Sequence, residues 1–390
     1  MTYQAILVAS AILLCAFGIE RLSRALGLPS VVALIATGFV AKPALAAFDL
    51  TIEGLDVAVP VIGTVGLMLI VLEGALDIEL RRDRLRAGLR ALFMAAAGIV
   101  ACGLAIAALI AVALPVTPFQ AALLAVPLAV ISSAVAIPSS DFLPAAEREF
   151  VVYESAISDI LGVLLFFSLL SSDGTVAGVF VNLLDEGLLS LLLGLIVAVG
   201  LTLVLPRIGG HIRFVPLLAA MFGLYAVGKL LHLSPLIMVL LFGLALNNPG
   251  LITRLRPFRH WHDEGDGQTL RDFKVFTAEL TFAVRGFFFI LLGYWTDLAA
   301  LAVPQAWIGA AALLVLIYAS RAGLLRLAGA QPREVLTWIA PRGLITVLLY
   351  LAAKDVVVVP PYLDGLVLLV VLISASASIV ARRRWDARCS

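Results

Sequence analysis

Two carboxylates stand in a segment that is otherwise largely apolar. Glu154 and Asp159 lie in EFVVYESAISDILGVLLFF, which runs from Glu149 to Phe167. A carboxylate in the middle of a membrane-spanning helix costs about 2.5 to 3.5 kcal/mol, so such residues usually serve a function. Five residues of helix place the two side chains about 140° apart around the helix axis. They therefore cannot both face one ion, and we assign them different roles.

Asp159 is the candidate for ion binding. It lies near the middle of the segment, and Ser155 and Ser158 occupy overlapping helical faces beside it. Burial favours the neutral form of a carboxyl group, whereas a nearby cation favours the ionised form. One aspartate can therefore hold either a proton or an alkali cation, and the two compete for it. The alternative is an aspartate that is buried in a helix interface and satisfied by its neighbours.

Glu154 has a candidate partner of opposite charge in a later segment. Arg321, in WIGAAALLVLIYASRAGLL, is predicted to reach about the same depth on a helix that runs in the opposite direction. A buried glutamate and a buried arginine are each costly alone, whereas together they neutralise charge and fix helix packing. We predict a structural ion pair. The alternative is that Arg321 extends to the cytoplasmic headgroups.

Two apolar segments are interrupted by helix breakers or polar residues. The first is AVISSAVAIPSSD from Ala129 to Asp141, which contains Ser132 and Ser133. The second is WIAPRGLITV, which contains Arg342. An unwound backbone is tolerated at membrane depth only where it faces a wet cavity, an ion or other protein groups. We expect both interruptions to lie near the ion site.

Two further arginines fall in mid-segment positions. Arg342 is predicted to neutralise the dipoles of helix C-termini or to hold positive charge when Asp159 is deprotonated. Arg285, in TFAVRGFFF, could pair with Glu279, lie at the lipid edge or have a functional role. The pattern does not choose between these interpretations.

The composition indicates the elements that must position these residues. Hydrophobic residues make up 62% of the 390 residues, against roughly 45–50% in soluble domains. At about 20 apolar residues per crossing, we predict an all-α polytopic membrane protein with about thirteen transmembrane helices. The predicted spans begin near Ala5, Pro29, Val57, Leu89, Phe119, Phe150, Leu188, Phe214, Pro235, Phe276, Pro304, Val335 and Leu363.

The distribution of charge predicts an orientation. With the N-terminus outside and the C-terminus inside, the cytoplasmic connections carry many arginines, whereas the opposite connections carry only Lys42 and Lys354. A bias of this size sets topology. The formal net charge of +1 gives no indication of a nucleic-acid partner. No metal or redox spacing of cysteines is present, and we predict no cofactor.

Two pairs of segments suggest an internal repeat. LPSVVALIATGFVAKP in the second span matches LSPLIMVLLFGLALNNP in the ninth, and the third span matches the tenth. An offset of seven spans gives the halves opposite orientations, as in inverted-repeat transporters, whose interrupted helices cross near the midplane. We predict one transmembrane domain with repeats at 1–172 and 209–384, a linking helix at 173–208, and crossed interruptions in spans 5 and 12. The alternative is that apolar helices with Gly and Pro resemble one another anyway.

The polar residues narrow the class of protein. No His cluster or Ser/His/Asp set lies at a common depth, which argues against an enzyme. A single aspartate that binds either a proton or a cation fits a cation/proton antiporter best among these classes. The alternatives are a sodium-coupled symporter of an organic anion and an ion channel.

Four motifs carry a family resemblance. YESAISDILGV, the Ser-rich interruption before it, the AxRAGLL pattern around Arg321 and PRGLIT together resemble the monovalent cation/proton antiporter superfamily, which includes Na+/H+ and K+/H+ exchangers. The resemblance implies that Asp159 binds the ion and the proton. It also implies that Glu154 and Arg321 form a structural pair, and that Ser158 beside Asp159, in place of a second aspartate, favours one-for-one exchange.

The resemblance extends to partners and location. Family members often have Thr-Asp at the interruption of the fifth span, whereas this chain has Ser132 and Ser133, so the ion ligands depart from the family pattern. The resemblance implies Na+ or K+ and H+ as substrates, alternating access, a homodimer and the lipid bilayer as environment. We expect the bacterial inner (plasma) membrane.

Overall fold

The structure of the chain is a computed structural model. The regular secondary structure of the described residues is helical. The structure describes residues 2–47, 55–78, 85–172, 178, 181, 189–190, 192–197, 199–200, 214–231, 233, 235–248, 266–296, 298–329 and 332–389. Fifteen α-helices have both ends within these residues, and a 3-10 turn covers Pro138–Ser140. They are α1 Thr2–Leu26, α2 Ser30–Ala46, α3 Leu55–Asp77, α4 Leu85–Ala113, α5 Pro118–Ala129, α6 Ser133–Ala136, α7 Ala145–Leu170, α8 Phe214–Leu230, α9 Pro235–Asn247, α10 Asp266–Trp295, α11 Leu298–Leu301, α12 Pro304–Leu327, α13 Arg333–Leu336, α14 Leu344–Lys354 and α15 Tyr362–Cys389.

Proline and capping residues define several helix starts. Pro118 and Pro304 occupy the first turns of α5 and α12, where the missing N–H of proline has no intrahelical partner to lose. Thr117 caps α5: its hydroxyl accepts from the N–H of Gln120, and the Gln120 side chain accepts from the Thr117 N–H. Each predicted span coincides with a helix or an interrupted helix pair, except the seventh, near Leu188, which lies partly outside the described residues.

Six of the described helical segments have the length and apolar composition of a membrane crossing. They are Arg86–Ala113, Pro118–Ala136, Ala145–Leu170, Gln268–Trp295, Pro304–Leu327 and Tyr362–Arg388. Shorter apolar helices are α2, α8, α9 and α14. These helices are those of an integral membrane protein, as the composition predicted.

The chain divides into two compact units. The first comprises Met1–Gly66, Arg90–Gly162 and Phe282–Ser390, and contains both interrupted helices. The second comprises Leu67–Leu89 and Val163–Thr281. The division of the sequence into repeats at 1–172 and 209–384, with a linking helix at 173–208, stays a prediction, because most of the linking segment lies outside the described residues.

The second unit joins the ends of two of its helices through side-chain amides. Asn247 and Asn248, at the C-terminal end of α9, both donate to the carbonyl oxygen of Ile78, at distances of 2.9 and 3.0 Å. Ile78 directly follows α3. The two amides therefore satisfy a carbonyl that the helix itself leaves unpaired.

In the first unit, the fifth predicted span is interrupted between α5 and α6. The backbone at Val130 and at Ser132 is extended, with ψ angles of 133° and 118°. The twelfth predicted span is interrupted between α13 and α14, in a stretch that contains Pro341. Proline has no N–H and opposes a continuous helix there. Both interruptions lie in the stretches that the sequence predicted to be broken.

The two interruptions contact each other. The N–H of Ser132 donates to the carbonyl of Pro341 at 3.0 Å. Beside this bond, a Cβ atom placed on Gly343 would lie 2.6 Å from the Ser132 hydroxyl oxygen and 2.9 Å from its Cβ atom. Glycine at 343 thus lets this interruption pack closely against the side chain of Ser132.

Candidate ion-binding site

Asp159 lies in α7 against the interruption between α5 and α6. Its side chain is buried, with 3% of its surface exposed. The backbone N–H of Ser133 donates to Asp159 Oδ2 at 2.9 Å. The interruption thereby positions the carboxylate, because the N–H of Ser133 at the start of α6 has no intrahelical partner.

Two buried oxygen atoms at this interruption have no hydrogen-bond partner among the described residues. They are Asp159 Oδ1 and the hydroxyl oxygen of Ser132. Buried polar atoms are nearly always paired, and an exception in a folded protein indicates a ligand, a water or a functional role. Carboxylate oxygens are ligands that suit hard cations, and the unpaired carboxylate oxygen can equally hold a proton.

The two other predicted serines make different contacts. Ser158 accepts a hydrogen bond at 3.0 Å from the backbone N–H of Ile131, which lies in the interruption. Ser155 donates to the carbonyl of Val151 in its own helix at 2.7 Å. The structure therefore brings Ser158 to the interruption together with Asp159, whereas the hydroxyl of Ser155 is engaged within α7.

These contacts predict that the two serines differ in their effect on stability. Ser158→Ala leaves the buried N–H of Ile131 without an acceptor, which costs about 1–3 kcal/mol. Ser155→Ala removes only a bond to a carbonyl of its own helix, a type of bond that contributes little. We expect a clearly lower unfolding temperature in detergent for Ser158→Ala than for Ser155→Ala. Equal shifts would contradict the assignment of Ser158 to the interruption.

Glu154, on the same helix as Asp159, forms a buried ion pair with Arg321 of α12. Arg321 Nη1 and Nη2 donate to the two oxygens of Glu154, each at 2.9 Å. The Nε of Arg321 also donates to the carbonyl of Leu336, the last residue of α13, at 2.8 Å. Arg321 is 6% exposed and Glu154 is 2% exposed, so the guanidinium does not extend to headgroups. The pair joins α7, α12 and the end of α13.

Arg342 is a second buried arginine among the described residues of the first unit, with 2% of its surface exposed. Its Nε donates to the carbonyl of Leu128 at 2.6 Å, and its Nη1 donates to the carbonyl of Ala340 at 3.0 Å. Leu128 lies in the last turn of α5. Carbonyls in a last turn lack intrahelical partners and carry partial negative charge. Within the described residues, Arg342 forms no ion pair with a carboxylate and binds these carbonyls instead. Its role at helix C-termini stays a prediction.

Arg285 has a partner that the sequence pattern did not identify. Its Nη1 donates to the carbonyl of Ala134 in α6 at 3.1 Å. Arg285 and Ala134 are 151 residues apart in the chain, and no local spacing connects them. Arg285 and Arg342 thus bind carbonyls on either side of the interruption between α5 and α6.

The apolar helices, the paired interruptions and the buried carboxylate define a membrane transporter. A family model described as sodium/hydrogen exchanger, transmembrane, matches residues 9–382. The chain therefore belongs to the sodium/hydrogen exchanger family, and the predicted membership of the monovalent cation/proton antiporter superfamily is confirmed. Membership supports cation/proton antiport, with a transporter rather than an enzyme as the class of protein.

Solved structures with the same fold are similar to this chain. The structure of the sodium proton antiporter MjNhaP1 from Methanocaldococcus jannaschii at pH 8 has a TM-score of 0.76 and 17% sequence identity, covering 99% of this chain and 97% of that chain. A second structure of MjNhaP1, from a 3D EM map, has a TM-score of 0.74 and 18% identity over the same shares. No curated protein sequence matches the chain. At these identities the likeness shows the fold.

Proposed function

We propose that the chain exchanges H+ for Na+ or K+ across the membrane with one proton for each cation. The observation that carries the proposal is the environment of Asp159. One carboxylate oxygen is held by the N–H of Ser133, and the other has no hydrogen-bond partner among the described residues. A proton and a cation compete for this second oxygen, so binding one expels the other.

The charges around the site favour one-for-one exchange. The residue directly before Asp159 is a serine, Ser158, rather than a second carboxylate. With one titratable carboxylate, the loaded site carries the same net charge with H+ as with Na+ or K+. Arg342 remains bonded to carbonyl groups, and it is always charged. The cycle therefore moves no net charge.

Alternating access supplies the coupling. The carrier exposes Asp159 to one side of the membrane at a time, through movement of the helices that hold the interruptions. We propose thirteen spans with the N-terminus outside and the C-terminus inside, arranged as two inverted repeats in which the interruptions of spans 5 and 12 cross. The hydrogen bond from Ser132 to Pro341 supports this crossing. We further propose a homodimer in the bacterial inner membrane, with the hydroxyls of Ser132, Ser133 and Ser158 assisting at the site, whereas Ser155 bonds within its own helix.

The direct test is exchange in vesicles that contain the purified protein and an internal pH dye. Inward gradients of Li+, Na+, K+ or Rb+ are applied, with and without an imposed membrane potential. We expect Na+ or K+ to drive proton efflux at a rate that the potential does not change. Protein-free vesicles give the background.

Two results would contradict the proposal. A rate that follows the imposed potential would exclude one-for-one exchange. Absence of proton movement with every cation would exclude the antiport, and cation-dependent uptake of an organic anion under those conditions would establish a symporter instead.

A further inference from the structure

The first unit contains an apolar cavity that the ion site does not use. It has a volume of about 290 Å3 and lies between α4, α5, α12, α14 and α15. Most of its lining side chains are aliphatic, including Leu109, Ile110, Leu124, Leu128, Ala312 and Val367. Water needs two to four polar partners at a buried site, and this lining offers few. The cavity suits an apolar occupant.

Two walls of the cavity belong to the two least buried of the six described segments that are long enough to cross a membrane. In the most apolar stretch of α4 only 28% of the residues are buried, and in that of α12 only 33%. The corresponding share is 78% for the segment that contains α5. Ile308 of α12 lines the cavity and is 70% exposed. In a membrane protein, apolar surface of this kind faces lipid. The cavity is therefore continuous with the lipid-facing surface.

The cavity has a polar end. Tyr350 and Tyr362 line it, and the hydroxyl of Tyr350 donates to Asp364 at 2.7 Å. Lys354 also binds Asp364, at 2.7 and 2.8 Å, and its side chain is 31% exposed. Tyrosine rings and lysines at helix ends typically lie at the level of lipid headgroups. An occupant with an apolar tail and a polar head matches this arrangement.

We propose that the cavity binds an acyl chain of a membrane phospholipid, with the headgroup beside Lys354. The chain would replace contacts with other lipid tails by dispersion contacts with protein walls on several sides. One of these walls is Leu128, whose carbonyl accepts from Arg342. The bound chain thus packs against the last turn of α5, next to the interruption.

The test uses a phospholipid with a photoreactive diazirine in its acyl chain. The full-length protein is placed in phosphatidylethanolamine and phosphatidylglycerol vesicles that contain a trace of this lipid, irradiated, and mapped by mass spectrometry. Leu124 and Leu128 are 1% and 3% exposed, so bulk lipid does not reach them. We expect adducts on these two residues. Adducts restricted to outward-facing residues such as Val112 and Val315, which are 89% and 66% exposed, would overturn the proposal.

Neighbouring alanines give a matched pair of variants. Ala312 lines the cavity, whereas Ala311 on the same helix is exposed and lies outside the lining. We expect Ala312→Phe to remove the adducts on Leu124 and Leu128 and Ala311→Phe to preserve them. Equal labelling in both variants would contradict the proposal. If Ala312→Phe does not fold, the adduct positions in the unmodified protein decide.

A second arm separates the sources of the acyl chain. The same vesicles receive a free fatty acid with the same diazirine instead of the phospholipid. Labelling of Leu124 and Leu128 by the phospholipid supports the proposal, whereas labelling by the fatty acid alone would overturn the assignment to phospholipid. Because none of these readouts measures exchange, failure of the proposed antiport would leave this result unaffected.

Discussion

Replacement of Asp159 by asparagine is expected to reduce cation-driven proton movement to the level of protein-free vesicles. An asparagine side chain cannot bind and release a proton in the neutral range, and its amide lacks the negative charge that balances an alkali cation. Its oxygen can still accept a hydrogen bond from the N–H of Ser133, which in the natural protein donates to Asp159 Oδ2 at 2.9 Å. The measurement is the dye assay in vesicles, with equal amounts of protein in each preparation.

The variant should fold at least as well as the natural chain. A buried aspartate loses its solvation when ionised, and a neutral side chain of the same shape avoids this cost. We expect an unfolding temperature that is unchanged or higher. The matched control is Asp141→Asn, which alters an aspartate that is 61% exposed and pairs with Arg148; exchange should persist in this variant. Exchange at the natural rate in Asp159→Asn would remove the proposed role of the residue.

Replacement of Glu154 by glutamine is expected to lower the stability of the folded protein more than Ser158→Ala does. Both oxygens of Glu154 accept from Arg321, and both side chains are buried. Removing one member leaves a buried charge without compensation, which costs about 3–5 kcal/mol. We expect a low yield of folded protein and a markedly lower unfolding temperature in detergent. Arg321→Gln should behave in the same way.

The double variant Glu154→Gln/Arg321→Gln tests whether the two residues are energetically coupled. Without an uncompensated charge, it should be more stable than the sum of the two single changes predicts, which a double-mutant cycle measures. The pair Lys354 and Asp364 serves as control, because it has similar distances but exposures of 31% and 40%. Breaking such a pair should cost no more than about 1 kcal/mol. Additive losses at Glu154 and Arg321 would contradict a coupled pair.

Helix ends were predictable where the chain carries local signals. The spans expected near Phe214, Pro235 and Pro304 begin at those residues in α8, α9 and α12. Proline and the change from polar to apolar residues act over a few positions and do not depend on distant partners. The interruptions were likewise visible, because serines and proline in an apolar stretch oppose a continuous helix. How the spans are oriented remains a proposal.

The partners of the predicted site residues were less predictable. Ser155 and Ser158 look alike in sequence, yet one bonds within α7 and the other accepts from Ile131. Which of them faces the interruption depends on the rotation of α7 about its axis. Helical periodicity places side chains on relative faces only, so the sequence could not distinguish them.

The sequence by itself determined that this protein is an apolar helical bundle with one aspartate deep in a span and two broken helices, because hydropathy, helix breakers and charge are local properties. Only the tertiary structure decided which backbone groups meet the charged side chains. Arg285 at Ala134, Arg342 at Leu128 and Ser133 at Asp159 are long-range pairs. They form because buried donors must find acceptors, and the packing of whole helices, rather than the neighbouring residues, determines which acceptors lie within reach.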